Sequence, residues 1–289
     1  MPGVLLSAAG DVGTGFANSG TTVTVSKPVN AVAGDFLIAV LWNRTNTVTT
    51  DFTTPPAGWT SVAAVGGAVG TYVVYSRTAL AGDPASWIWA GGSSGRLTGA
   101  IFRTTGLTGA LDIAGGYATV VGGTPPTTTL TSVTAAQAGD LLIAVTGTNN
   151  NPSTTNTVTG QTLGVTVTTT TAAVESTMQV FSETLAAAGA SGTRVYSAST
   201  ATVSSGSGAL IALRAVSALV ATLSVTPTSG TSPLLVTATA GSTGGTGTAV
   251  SYAYAWGDGG NDAASASTTA THTYASAGTF TATVTATNA

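Results

Sequence analysis

The stretch AVAGDFLIAVLWNRTN (31–46) returns about a hundred residues later as AAQAGDLLIAVTGTNN (135–150), with Asp35 and Asp140 105 positions apart. In each copy a Gly-Asp pair precedes a run of apolar residues too short for a membrane span and rich in β-formers. Glycine takes positive φ without a steric penalty, and an aspartate can bond its own neighbouring backbone. The pair therefore reads as a turn entering a strand buried on both faces, not as a carboxylate that does chemistry twice.

The flanking sequence repeats with it. TTVTVSK (21–27), DFLIAVLW (35–42), TYVVYSRTA (71–79), ASWIWA (85–90) and TGAIFRT (98–104) read as strands by their period of two or their short apolar runs. Their counterparts are TTLTSVT (128–134), DLLIAVTG (140–147), STMQVFSETL (176–185), TRVYSAS (193–199) and GALIALRAV (208–216), with AIFR ending at Arg103 set opposite IALR ending at Arg214. ETLAAAGAS (183–191) is the one candidate for a short helical turn. Two units of about 105 residues, each with strands and turn signals every ten or so residues, have the length of β-sandwiches.

Charged residues make up 6% of the 289, where a soluble domain carries about 25%, so the surface is built from hydroxyls and glycine. The net charge is −3, and the single lysine and the arginines are scattered, which leaves no basic stripe for a nucleic acid. No cysteine is present, which removes disulfides, thiolate nucleophiles and Cys-ligated zinc together. The opening MPGVLLSAAGDVGTG has no basic segment before its short apolar run and does not read as a signal peptide, and no run is long enough to cross a membrane as a helix.

Candidate chemistry is sparse. The only histidine, His272, reads as a strand residue bonding a neighbouring turn, and any Ser-His-Asp arrangement would have to be built around it. Most aspartates sit in turn contexts, and Glu175 and Glu183 would lie about 26 Å apart along an extended strand, too far to act as a glycosidase pair. No catalytic residue, resident metal or cofactor is expected. The weak metal candidates are Asp258 and Asp262 in GDGGND (257–262), which offer oxygen ligands to calcium on a tight loop but lack the twelve-residue EF-hand pattern. Trp42, Trp59, Tyr72, Tyr75, Trp87 and Trp89 all fall in the first unit. If the face carrying Trp87 and Trp89 is exposed, it forms a flat platform for a sugar ring; the alternative is core.

Beyond the second unit, PTSGTSPLLVTATA (227–240), YAYAWGDGG (252–260) and THTYASAGTFTATVTATN (271–288) resemble the PKD domain, an immunoglobulin-like β-sandwich of cell-surface proteins, secreted hydrolases and phage virion proteins. Tyr254 stands where that family usually has tryptophan. In the first two units the order AGD-[FL]-LIAV, PPAGWT (55–60), YVVYSRTALAGDPASW and GAIFRTTGL is similar to a β-sandwich module of structural and tail proteins of phages that infect actinobacteria. The second unit lacks PPAGW and has no aromatic equivalents of Trp87 and Trp89.

The expectation is an all-β chain of tandem β-sandwiches: jelly-roll or Ig-like repeats over 1–107 and 108–217, then a PKD-like Ig sandwich over 221–289. The resemblances imply a non-enzymatic virion structural protein, a capsid-decoration or tail-surface component on the virion surface. It would be anchored by its duplicated part, be a homo-oligomer and have other capsid or tail proteins as partners. The alternative is an extracellular carbohydrate-binding adhesin, or an accessory module of a secreted hydrolase, with a cell-surface glycan as partner. Neither nucleic acid nor membrane is an expected partner.

Overall fold

The run FLIAVLW is buried on both faces because it lies in a middle layer. In the computed structural model, which describes residues 2–44, 52–67, 69–114, 118–120, 127–149, 156–169, 176–198, 206–216, 219–244 and 250–288, every regular element is a strand. The chain divides into two compact units, Met1–Ala215 and Val216–Ala289.

The first repeat contributes β1 (Val4–Leu5), β2 (Val12–Ser26), β3 (Phe36–Arg44), β4 (Thr60–Gly67), β5 (Gly70–Thr78) and β6 (Ser86–Thr105). They form one sheet in the order β1-β6-β3-β5-β4, with β2 also on β6. ASWIWA and TGAIFRT, read above as two strands, are the two ends of the single strand β6. One end of β6 pairs with Val12–Ala17 and the other with Thr22–Ser26 of β2, across register shifts between Ala17 and Thr22. This long ribbon folds over its own sheet. Gly15 makes the fold possible, since a Cβ there would stand 1.9 Å from the Thr24 carbonyl oxygen.

The second repeat contributes β7 (Leu107–Ala114), β8 (Ala118–Val120), β9 (Thr127–Leu130), β10 (Thr134–Ala135), β11 (Leu141–Asn149), β12 (Thr157–Val158), β13 (Thr162–Thr169), β14 (Ser176–Thr184), β15 (Gly189–Ala190), β16 (Arg194–Ser197) and β17 (Gly206–Ala215). Its main sheet runs β7-β17-β11-β14-β13, the same order as in the first repeat, and the small sheets β12-β16-β9 and β10-β15 complete it. ETLAAAGAS is not helical: Glu183 and Thr184 finish β14, and Leu185 N–H donates to the Asp140 carbonyl at 2.8 Å, which continues the strand pairing.

Alternation sorts each main sheet onto two cores. Ile38, Val40 and Trp42 of β3 meet Ile143, Val145 and Leu141 of β11 in a central core shared by the two repeats. Leu37, Ala39 and Leu41 face an outer core under the folded ribbon, with Val23, Val25, Trp87 and Trp89. Leu142 and Ala144 face a second outer core with Leu130, Val158 and Tyr196. Each repeat is thus a sandwich with its own outer core. The boundary expected near residue 107 separates sheets but not packing units, because the central core joins the repeats within Met1–Ala215. A buried hydrogen bond crosses that core, from Tyr72 Oη to the Ser207 carbonyl at 2.7 Å.

The ladders also correct the repeat alignment. Leu37 pairs with Arg103, whereas Leu142, its equivalent, pairs with Ala212. Arg103 therefore corresponds to Ala212, and Arg214 lies two residues further on.

The second unit holds β18 (Val220–Thr226), β19 (Leu234–Thr243), β20 (Val250–Ala255), β21 (Asn261–Ser265), β22 (Thr269–Tyr274) and β23 (Thr283–Asn288). They form two three-stranded sheets, β18-β19-β22 and β21-β20-β23. Their facing sides enclose Val236, Ala238, Tyr252, Tyr254 and Trp256, as the alternation of YAYAW requires.

Candidate functional site

The Gly-Asp turn occurs three times with one geometry. In Val32-Ala33-Gly34-Asp35 the Asp35 carboxylate accepts the Val32 N–H at 2.9 Å; in Leu80-Ala81-Gly82-Asp83 the Asp83 carboxylate accepts the Leu80 N–H at 2.9 Å; in Gln137-Ala138-Gly139-Asp140 the Asp140 carboxylate accepts the Gln137 N–H at 3.2 Å. Each aspartate closes its turn by bonding three residues back, and the same carboxylate ties the turn to something else.

That second partner differs. Asp35 takes Arg103 Nε at 2.8 Å, and the same guanidinium reaches Asp11 at 2.6 Å. The Arg103 bond is the main reason both carboxyls are held below the usual 3.8, with Asn30 adding to it at Asp11 and the Val32 N–H at Asp35. Asp83 takes Arg77 at 2.5 Å, with both side chains 5% exposed. Asp140, fully buried, accepts the Ala215 backbone N–H at 2.8 Å. Glu183 is paired with Arg194, and Glu175 lies outside the described residues.

Trp87 and Trp89 do not form a sugar platform. They are 5% and 0% exposed, because the ribbon that carries them folds inward onto β3 and β5. Trp59 packs edge-on against both, at 5.3 Å between ring centroids in each case. The Arg77 guanidinium lies over Trp87 at 5.1 Å and over Trp59 at 5.7 Å. A buried cation held between indoles and a carboxylate locks this layer. Sequence reasoning missed Arg77; the signal available was an arginine six residues before the aspartate of a Leu-Ala-Gly-Asp turn.

Trp42 belongs to the central core. A Cβ on Gly147 would stand 2.4 Å from its ring, so the indole lies directly on that glycine. Gly147 is the residue of the second repeat equivalent to Trp42, 105 positions on.

In the second unit the Gly257-Asp258-Gly259 turn is fastened from two sides. Asp258 accepts the Gly260 N–H at 3.0 Å and bonds His272 Nε2 at 2.7 Å, and this histidine bond is the main reason its carboxyl is held below 3.8. The His272 ring stacks on Trp256 at 4.9 Å, and Tyr274 Oη donates to the Trp256 carbonyl at 2.8 Å. Trp256 Nε1 donates to Asp262 at 3.1 Å. His272 is thus the strand residue bonding a turn that its position implied. Asp258 and Asp262, the calcium candidates, direct their carboxylates to different protein donors. Among the described residues, no three His, Asp or Glu side chains converge.

Comparison with curated proteins and with solved structures returned no match. Residues 220–289 match the PKD domain, so the C-terminal unit is similar to an immunoglobulin-like module typical of extracellular and surface proteins.

Proposed function

We propose that the chain is a non-enzymatic structural protein of a bacteriophage virion, a capsid-decoration or tail-surface component, held to the particle by residues 1–215 and displaying the PKD-like unit. One observation carries the non-enzymatic part: each carboxylate whose side chain is described is bonded to a donor that closes a turn or clamps a strand end. Ionisable groups spent in this way hold shape, whereas a catalytic carboxylate faces a cleft where substrate can reach it. The virion setting rests on the resemblance read from the order AGD-[FL]-LIAV, PPAGWT and YVVYSRTALAGDPASW, and a duplicated body with a shared core suits a footprint on a surface. The competing reading, an extracellular glycan-binding adhesin, keeps the PKD match in its favour but loses its aromatic platform to burial.

The test is location. Antibodies raised against the full chain are expected to decorate purified particles in immuno-electron microscopy, and added protein is expected to co-sediment with particles that lack it. Absence from particles, combined with retention of the full chain on an immobilised glycan array, would transfer the assignment to the adhesin.

A further inference from the structure

Along one side of the PKD-like sandwich the edge strands β18 and β23 meet, and the closure there is incomplete. Inward residues of its middle strands are buried, with Val236 at 2% exposure and Trp256 at 1%. Those of its edge strands, Leu223 and Val225 on β18 and Val284 and Ala286 on β23, are only half-buried. Beside them runs a groove of about 720 Å³ whose walls include Leu223, Val225, Leu234, Tyr274, Phe280 and Ala282.

One rim of the groove is chain that precedes β23 and belongs to no strand. The alternation TFTATVTATN runs unbroken from 279 to 288, yet pairing with β20 begins only at Thr283. Among the described residues, the backbone of 276–282 makes no hydrogen bond within the chain, and the edge of β23 away from β20 has no ladder partner. Free backbone beside half-exposed apolar side chains is the geometry that strand addition uses.

Charge selects the occupant. Residues 220–236 and 275–288 contain no charged side chain, so the groove offers a charged strand no counter-ion, and the rim has none of the lysines or prolines that keep strand edges apart. A strand that is neutral and apolar at every second residue is already present in the same chain. We infer that residues 280–288 pair antiparallel with the same residues of a second copy about a twofold axis at Val284, so that inward residues lie opposite inward residues. Each copy then carries its inward face past the β23 edge and covers the other's groove. Such an isologous contact closes on itself and gives a dimer, not a fibre.

Sedimentation velocity of the full chain over a concentration series tests this, with no particle or glycan involved, so its outcome is separate from that of the virion assignment. The expected result is a monomer–dimer equilibrium. Thr285→Lys, on the exposed side of β23, and Ala282→Lys, on the inward side, are each expected to weaken it about tenfold or more, with the melting temperature of the Thr285→Lys chain unchanged. If Ala282→Lys does not fold, Thr285→Lys alone decides. A chain that stays monomeric throughout, or a dimer that both variants leave intact, overturns the inference. So does a monomer that takes up a synthetic 280–288 peptide without self-associating, since the groove would then serve a foreign strand.

Discussion

Repeat 1 places Trp42 where repeat 2 has Gly147, and the two residues face each other across the central core. Their sheets share one strand order, so the difference is not one of fold. Two identical faces packed about a pseudo-twofold would set tryptophan against tryptophan or leave a void between glycines. The copies have instead diverged into knob and hole. At this position the plainness of the second repeat is what the first repeat's aromatic residue needs.

Removing the knob should have the largest effect. Trp42→Ala leaves an indole-sized cavity between sheets already packed on their far sides, and is expected to cost about 3–5 kcal/mol in urea unfolding. Filling the hole should cost less: Gly147→Ala forces a methyl against the ring and is expected to destabilise by about 1–3 kcal/mol. The double variant sharpens the comparison. With Trp42 already alanine, the added methyl has space, so the Gly147→Ala penalty should vanish or reverse, a coupling a double-mutant cycle measures directly. Additive penalties would mean that the two residues are not packed as knob and hole.

The reach of sequence reading follows the same division. Strand positions near Asp35, Asp140, Tyr72 and Met178 were legible because a run buried on both faces leaves few alternatives to a strand. The PKD-like unit was legible through the alternation of Tyr252, Tyr254 and Trp256 and the glycine turn after them. What could not be read was partnership. Whether Trp87 faces solvent depends on a ribbon folding back between Ala17 and Thr22, and the joining of two sandwiches into one body depends on which face of β3 meets which face of β11. Neither has a local signature. The two-residue slip between Arg103 and Arg214 has a similar cause, because matching letters hid a register that only the ladders define.

That slip bears on charge, and it predicts a smaller effect. Asp35 and Asp11 share Arg103, and Asp140 accepts the Gln137 and Ala215 backbone N–H groups. Both partners of Arg103 have folded-state pKa values below 3.8. The stability they contribute is complete above the unfolded value near 3.8 and is lost as pH falls through it towards the lower folded values. The full chain should therefore melt at lower temperature as pH drops below about 4. Arg103→Met should make that acid limb shallower and lower stability at neutral pH. An unchanged acid limb in the variant would show that other carboxylates dominate acid sensitivity.

The smallest expected effect is none, and it comes from comparing Asp258 and Asp262 with those turn aspartates. A calcium site needs several oxygens free to converge on one point. Here Asp258 is divided between the Gly260 N–H and His272, and Asp262 accepts the Trp256 indole N–H. Binding an ion would have to break a bond to a residue that is itself stacked in, or part of, the domain core, since His272 lies on Trp256. A ligand that stabilises only the native state raises the melting temperature in proportion to the logarithm of its concentration over its dissociation constant. Neither EDTA nor millimolar calcium should therefore move the melting transition of the full chain. A rise with calcium that disappears in Asp258→Asn would show that the turn exchanges its histidine for a metal, and would set this turn apart from the three in the body.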